Sequence, residues 1–408
     1  MVVSWRAVFV CLLSLVLGAS CYDVVREYSG QSFFDRWDFY GSWDNLTLGD
    51  VWWLNRSSAV EQNLAYIDAR GHAIMKVDNS SNVPSNQKRN SIRITSQDFY
   101  DIGSLWVVDL LHIPFGCSVW PAFWTKGTLW PNDGEIDIIE AINLASNNQY
   151  ALHTLPGCTL APGSAQSGHP TATNCSEGSG CVVIESAPNS YNEGFAQAGG
   201  GVWATQFDTA GIFMWFWTRA NVPKSILSAT STSALDISDF GTPSASYPAS
   251  TCNISQYFTP QQLIFDITLC GDWAGVPQFY GPSCGKTGPT GLCYEDSVLG
   301  PGAKFDDAYF DVSYLRAYTT LAAPAASATP AAPSTPPALA SAIPPSSTIS
   351  AAPSNSGTAV VTVASTLAVA SSGLPGSTET SRARGSEAGF VLASLLTGVS
   401  VALGWMGY

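Results

Sequence analysis

The stretch Trp130-Pro-Asn-Asp-Gly-Glu135-Ile-Asp137-Ile-Ile-Glu140 decides the reading of this chain. It is apolar and β-branched, yet it carries acids at intervals of two and three. In a regular strand side chains alternate faces, so Glu135 and Asp137 share one face while Glu140 points the other way. A single β-bulge in Ile138-Ile139 absorbs the extra residue and returns Glu140 to the side of the other two. The spacing therefore predicts a bulged strand with its three carboxyls in a row on one sheet face.

Such a row has a chemical use. Two carboxyls flanking a glycosidic bond can cleave it, one attacking the sugar and one protonating the leaving oxygen, at a retaining separation of roughly 5–5.5 Å. Like charges that close cannot all stay ionised, so at least one acid is expected to keep its proton towards neutral pH, as a general acid must. The same spacing also suits a solvated acidic face or a calcium site of carboxylate oxygens. The neighbourhood weighs for sugar chemistry. Upstream, Gly116-Cys117-Ser-Val-Trp120-Pro-Ala-Phe123-Trp124-Thr-Lys-Gly-Thr-Leu-Trp130 is dense in aromatics, and Asn148-Gln-Tyr-Ala-Leu-His153-Thr follows downstream. Aromatic faces pack on the C–H faces of sugar rings while the hydroxyls hydrogen-bond.

Outward from this strand, Tyr22 to Thr319 reads as all-β. Short Val/Ile/Thr/aromatic runs alternate with Gly, Asn, Asp, Ser and Pro clusters. Ser91-Ile-Arg-Ile-Thr95 and Phe310-Asp-Val-Ser-Tyr-Leu-Arg-Ala-Tyr318 alternate apolar and polar residues, as half-buried strands do. Leu105–Leu111 and Gly211–Thr218 read as deeper strands, and most of Trp106, Trp203, Trp215 and Trp217 read as core because they sit in apolar strands. No long stretch shows a capped helical period, and no internal linker divides the body, so residues 21–320 form one domain. Arg93 could reach a ligand from its strand or sit in a structural ion pair. His112 reads as structural, and His72 and His169 take no role.

The ends differ from the body. Met1 to Arg6 is a short basic start, followed by an apolar run and Gly18-Ala19-Ser20, so residues 1–20 read as a secretory signal peptide. Secretion places the cysteines in an oxidising compartment. Cys11 leaves with the leader. Cys117, Cys158, Cys175, Cys181, Cys252, Cys270, Cys284 and Cys293 form an even set in the body, and Cys21 is the odd one out. Eight thiols allow 105 connectivities; closeness in sequence favours Cys175–Cys181 and Cys284–Cys293. No paired Cys-x-x-Cys spacing argues for zinc. Sequons stand at Asn45, Asn55, Asn79, Asn174 and Asn253. Residues 321–387 are rich in Ala, Ser, Thr and Pro and read as a disordered, O-glycosylated stalk. Residues 388–408 are apolar and end without cytoplasmic charge, which fits a glycosylphosphatidylinositol attachment signal, with Gly376 the favoured attachment residue. A net charge of −14 and a pI near 4.5 argue against a nucleic-acid partner. No P-loop or dinucleotide fingerprint is present.

Trp120-Pro-Ala-Phe-Trp124 followed by Gly134-Glu135-Ile-Asp137-Ile-Ile-Glu140 resembles the fungal laminarinases of glycoside hydrolase family 16. His153-Thr-x-Pro-Gly-Cys158-Thr and Cys270-Gly-Asp-Trp273-Ala-Gly resemble the same group, and the likeness covers most of Tyr22 to Thr319. It implies a β-jelly-roll sandwich of the concanavalin A-like type with a single catalytic domain; no cofactor is expected, and no set of metal ligands stands out in the sequence. The implied activity is retaining endo-hydrolysis of β-1,3- and mixed β-1,3/1,4-glucans, with β-glucan as the partner. Carried over by position, Glu135 is the nucleophile, Glu140 the general acid/base, and Asp137 the group that tunes them. His153 is implied close to the acid/base, Trp124, Trp130 and Trp273 along the groove, and Trp52 and Trp53 in its wall. The expected whole is a monomer, secreted and anchored at the cell surface. Two other functions fit the same residues: a wall-remodelling transglycosylase, whose known relatives carry a shorter unbulged Glu-x-Asp-x-Glu, and a glucan-binding lectin.

Overall fold

Alternation along the strands builds two antiparallel sheets that share one core. The computed structural model describes residues 21–320; the expected leader, stalk and attachment signal with Gly376 lie outside the described residues. A nine-stranded sheet has Tyr309–Thr319 and Ser104–His112 near its centre, beside Cys21–Ser29 and Gly201–Asp208. An eight-stranded sheet runs in the order His169–Pro170, Cys181–Ile184, Gln149–His153, Glu135–Glu140, Val119–Lys126, Gln262–Leu269, Arg93–Ser96 and Trp37–Phe39. The expected jelly-roll sandwich is therefore what forms. Phe265 of the second sheet meets Phe310 of the first edge-on, with ring centroids 5.2 Å apart, and Phe123 stacks on Phe265 at 4.3 Å.

Each central strand of the eight-stranded sheet splits its side chains by parity. Val119, Phe123 and Thr125 turn into the core, as do Leu263, Phe265, Ile267 and Leu269, while Trp120, Ala122, Trp124 and Lys126 line the opposite face. The catalytic candidates thus share a face with Trp120, Trp124 and Lys126. Of the tryptophans expected in the core, Trp106 and Trp203 sit between the sheets. Trp215 and Trp217 instead pack on the outer face of the nine-stranded sheet, in a cluster with Val222, Ile226 and Phe240.

The disulfides pair differently from sequence proximity in one respect. Cys175–Cys181 closes as expected, but Cys284 bonds Cys117 and Cys293 bonds Cys270. The helix Pro277–Cys284 carries Cys284 to the turn that precedes Val119–Lys126, so its neighbour in space is 167 residues away in sequence. Cys158–Cys252 completes the body set. Cys21, read as the odd one out, is also disulfide-bonded. Among the described residues no helix is long and apolar enough to cross a membrane.

Candidate active site

The bulge is present and lies at Ile138-Ile139. Against Gln149–His153, Asp137 faces Ala151 while Glu140 faces Gln149, so three steps on one strand answer two on the other. Ile136, Ile138 and Ile139 are all buried, and the acids Glu135, Asp137 and Glu140 all line one groove of about 750 Å³. Apolar burial of the isoleucines pins the register, because a one-residue slip would drive the carboxyls into the core.

Cross-strand register supplies the surroundings. The Glu140 row continues through Ala122 to Asp266 and Arg93, with Gln149 on its other side. The Glu135 row holds His153 and Lys126. Trp120 Nε1 donates to Glu140 at 2.8 Å and Gln149 Nε2 donates to its other oxygen at 3.2 Å. Trp130 Nε1 donates to Glu135. His153 Nε2 stands 3.3 Å from Asp137 Oδ2, which has no aligned donor and is almost fully buried. His153 therefore pairs with Asp137 and lies opposite Glu135. The side chains that bond the acid/base directly are Trp120 and Gln149, with His153 close by.

Glu135 and Glu140 are half-buried: at the floor of a deep groove a carboxyl touches some water yet is surrounded by protein. Burial pushes Glu135 well above the usual carboxylate range, and the neighbouring Asp137 adds to it while His153 partly offsets it. Asp137 is raised well above its ordinary value by burial and then by Glu140. Glu140 is raised by burial, against the opposing bonds from Trp120 and Gln149 and the nearby His153. Protons in such a row belong to the group as a whole. All three acids are thus held above their ordinary values, so the row retains protons among its carboxyls, as a general acid requires.

The aromatic predictions divide. Trp130 is exposed above Glu135, and Trp273 meets Trp120 edge-on at 5.3 Å, so both line the groove with open faces. Trp124 lines it too but is nearly buried, with Nε1 donating to Asp266 at 3.1 Å. Trp53 reaches the groove only as a buried core side chain. Trp52 is not in the groove lining: in Val51–Trp53 it is the exposed residue between two buried ones, and it pairs with Trp43. That alternation overturns its expected place in the wall.

Two groups escaped the sequence reading. Asp44 takes five bonds, from the backbone of Leu46, Thr47 and Gly49 and the hydroxyls of Thr47 and Thr268. Burial acts to raise its pKa, but those bonds outweigh it and hold the carboxyl below its ordinary value. It ties the loop bearing Leu46 and Thr47 to the groove edge. Asp266 is pushed up to about 7 by burial, which Arg93 and the Trp124 indole only partly offset. Arg93 lies 4.0 Å from it, between the rings of Tyr40 and Trp124. Arg93 thus makes the structural ion pair and also lines the groove.

Asp266 yields a signed prediction. A carboxyl whose folded pKa exceeds its unfolded one favours the fold when protonated. Stability from this group is complete below about pH 4 and falls as pH rises to about 7, by on the order of 4 kcal/mol at most. Asp266→Asn removes that dependence, so the melting temperature of the variant relative to the parent is expected to be higher at pH 8 than at pH 4.5. An equal difference at the two pH values in scanning calorimetry would defeat this account.

Ligand atoms of Glu135, Asp137 and His153 lie within 4.8 Å of one another and could hold a cation. The other such group among the described residues, Asp68, His72 and Asp311, already takes the Arg70 guanidinium, at 2.7 Å to Asp68 and 2.5 Å to Asp311.

Comparison with known proteins extends the geometry. Residues 37–318 match the family model described as XgeA-like, catalytic GH16 domain. A probable glycosidase of Schizosaccharomyces pombe is 36% identical over 307 residues, covering 74% of this chain and 70% of that protein. A probable endo-1,3(4)-beta-glucanase of Aspergillus niger is 37% identical over 332 residues, covering 79% of this chain but 44% of the relative, so the match spans less than half of that longer protein. Laminarinase 16A from Phanerochaete chrysosporium, solved with 6-O-glucosyl-laminaritriose in both donor and acceptor sites, superposes with a TM-score of 0.68 at 31% identity, covering 73% of this chain and 100% of that one. An elongating GH family 16 beta-1,3-glucosyltransferase does so at 0.67 and 38% identity, with the same coverage.

Proposed function

The chain belongs to glycoside hydrolase family 16, and on that premise we propose that it is a retaining endo-β-glucanase acting on β-1,3- and mixed β-1,3/1,4-glucans. The observation that carries this reading is the bulge, which sets Glu135, Asp137 and Glu140 side by side in an aromatic groove. With a glucan along the groove, a Glu135 oxygen bonds the anomeric carbon. The glycosidic C–O bond breaks, its electron pair goes to the departing oxygen, and Glu140 gives that oxygen a proton. Glu140 then takes a proton from water, whose oxygen displaces Glu135 from the sugar.

The test follows reducing ends and product lengths on a β-1,3-glucan, a mixed-linkage glucan and chitin oligomers, with Glu135→Gln as control. Shortened glucan products absent from the control support hydrolysis. Turnover of chitin oligomers alone, or unchanged activity in the control, defeats it. Transglycosylation is the second reading, favoured by the 38% identity to an elongating glucosyltransferase; it predicts products longer than the donor.

We further propose that the protein is secreted and held at the cell surface through its C-terminal signal. Four disulfides in the body support an oxidising destination. N-glycans on such a protein would favour the sequons whose amide nitrogen is free. Asn79 Nδ2 donates to Asp306 at 2.6 Å and Asn174 Nδ2 to Glu177 at 3.1 Å. Asn45, Asn55 and Asn253 are exposed and use no side-chain N–H in this way. Glycopeptide mass spectrometry is expected to find higher occupancy at these three; full occupancy at Asn79 and Asn174 with bare Asn45 and Asn253 would reverse the ranking.

A further inference from the structure

A β-bulge breaks a hydrogen-bond ladder, and the backbone groups it frees must find partners elsewhere. Here one side chain takes both. Asn148 is fully buried; its Oδ1 accepts the Glu140 N–H at 2.9 Å and its Nδ2 donates to the Ile138 carbonyl at 2.9 Å. These groups flank Ile139, where the register against Gln149–His153 shifts. A carboxamide presents a donor and an acceptor on two separate atoms of one plane, as a peptide does, whereas a hydroxyl carries both on a single oxygen.

The anchor is itself held. The Asn148 N–H donates to Ser190 Oγ at 3.0 Å, and the Asn148 carbonyl accepts from the Glu185 N–H at 2.9 Å. Glu185 in turn accepts the Tyr150 hydroxyl at 2.6 Å. The next residue after Asn148 is Gln149, whose amide bonds the Glu140 carboxyl. Two adjacent side chains thus fix Glu140 at both ends, one through its backbone N–H and one through its carboxylate. Glu135 and Asp137, before the bulge, receive neither bond.

We propose that Asn148 is a positioning residue for the general acid/base: it stands in for the missing ladder partner and so sets the direction in which Glu140 projects. This role rests on the glycoside hydrolase reading above. It predicts a selective defect. Loss of Asn148 would displace Glu140, which must give a proton to the leaving oxygen and later take one from water, while Glu135 keeps its register.

The experiment compares the full chain with its Asn148→Ala and Asn148→Asp variants, and with Glu140→Ala as reference, on β-1,3-glucan and on a 2,4-dinitrophenyl β-glucoside oligomer. Dinitrophenolate departs without a proton, so its release in the first turnover needs only Glu135. Azide then forms a C–N bond at the anomeric carbon as the bond to Glu135 breaks, and needs no base. For Asn148→Ala, turnover of glucan is expected to fall about a hundredfold, first-turnover dinitrophenolate release to stay within about threefold, and azide to restore turnover with glycosyl azide as product. Asn148→Asp keeps the acceptor for Glu140 and loses the donor to Ile138. It is expected to show the same pattern more weakly, and it carries the test if the alanine variant does not fold. Equal loss on both substrates, no loss on glucan, or no response to azide overturns the proposal. A parent protein inert on both substrates while folded would instead defeat the glycosidase reading itself.

Discussion

Glu135→Gln is expected to lower turnover of β-1,3-glucan by at least about 10⁴-fold, or ~5.5 kcal/mol in the barrier. An amide nitrogen is no substitute for the carboxylate oxygen that must bond the anomeric carbon, and neither Asp137 nor Glu140 can replace it from its own row. The substitution keeps size and leaves the Trp130 indole an oxygen to bond. It also removes one charge from a crowded site. The pKa of Glu135 is raised in the fold by burial and by Asp137, so the folded state prefers the neutral form. The group's contribution is therefore complete below its unfolded pKa and declines as pH rises through the folded one. Gln mimics the neutral form throughout. The variant should match the parent in melting temperature at low pH and equal or exceed it at neutral pH. A folded variant retaining more than about 1% of parent turnover would remove Glu135 from the nucleophile's place.

The bulge was legible because a strand's period is two and the spacing from Glu135 to Glu140 is odd, so only an inserted residue reconciles three acids with one face. The groove aromatics Trp124, Trp130 and Trp273 were legible through the family resemblance, and the even spacing of Trp120 and Trp124 accounts for the face those two share. Asp266 gave no such signal. It becomes part of the site through register with Ala122, which no local pattern encodes. Nothing local marks Asn148; its meaning depends on the gap that another strand leaves open. Trp52 failed in the opposite way. Its local sequence is as aromatic as the groove's, but the Trp43 bridge turns it to the outside. Periodicity thus revealed which side chains share a face, while partnerships between distant strands stayed hidden.

The same divide explains the disulfide with the largest expected effect. Replacing both Cys117 and Cys284 by Ala frees a loop spanning 167 residues, and chain entropy puts the loss at roughly 4–5 kcal/mol. Replacing Cys175 and Cys181, only 6 apart, should lose about 2 kcal/mol on the same scale. For a body of this size the first change lowers the melting temperature by about 7 °C, the second by about 3 °C. The long-range pair also fastens a functional wall. Helix Gly271–Ala274 carries Trp273, and helix Pro277–Cys284 carries Phe279, with Trp273 resting edge-on against Trp120. Trp120 in turn donates to Glu140. Cys270–Cys293 and the bond from Asn143 Nδ2 to the Ala274 carbonyl still hold one end of this segment. The wall should therefore loosen at the Phe279 end without coming away. KM for glucan is then expected to rise several-fold while kcat changes little, because the carboxyl row keeps its own bonds. Equal destabilisation by the two pairs in calorimetry would defeat the loop-entropy argument. A collapse of kcat in a variant that still folds would show instead that the disulfide holds the catalytic row itself.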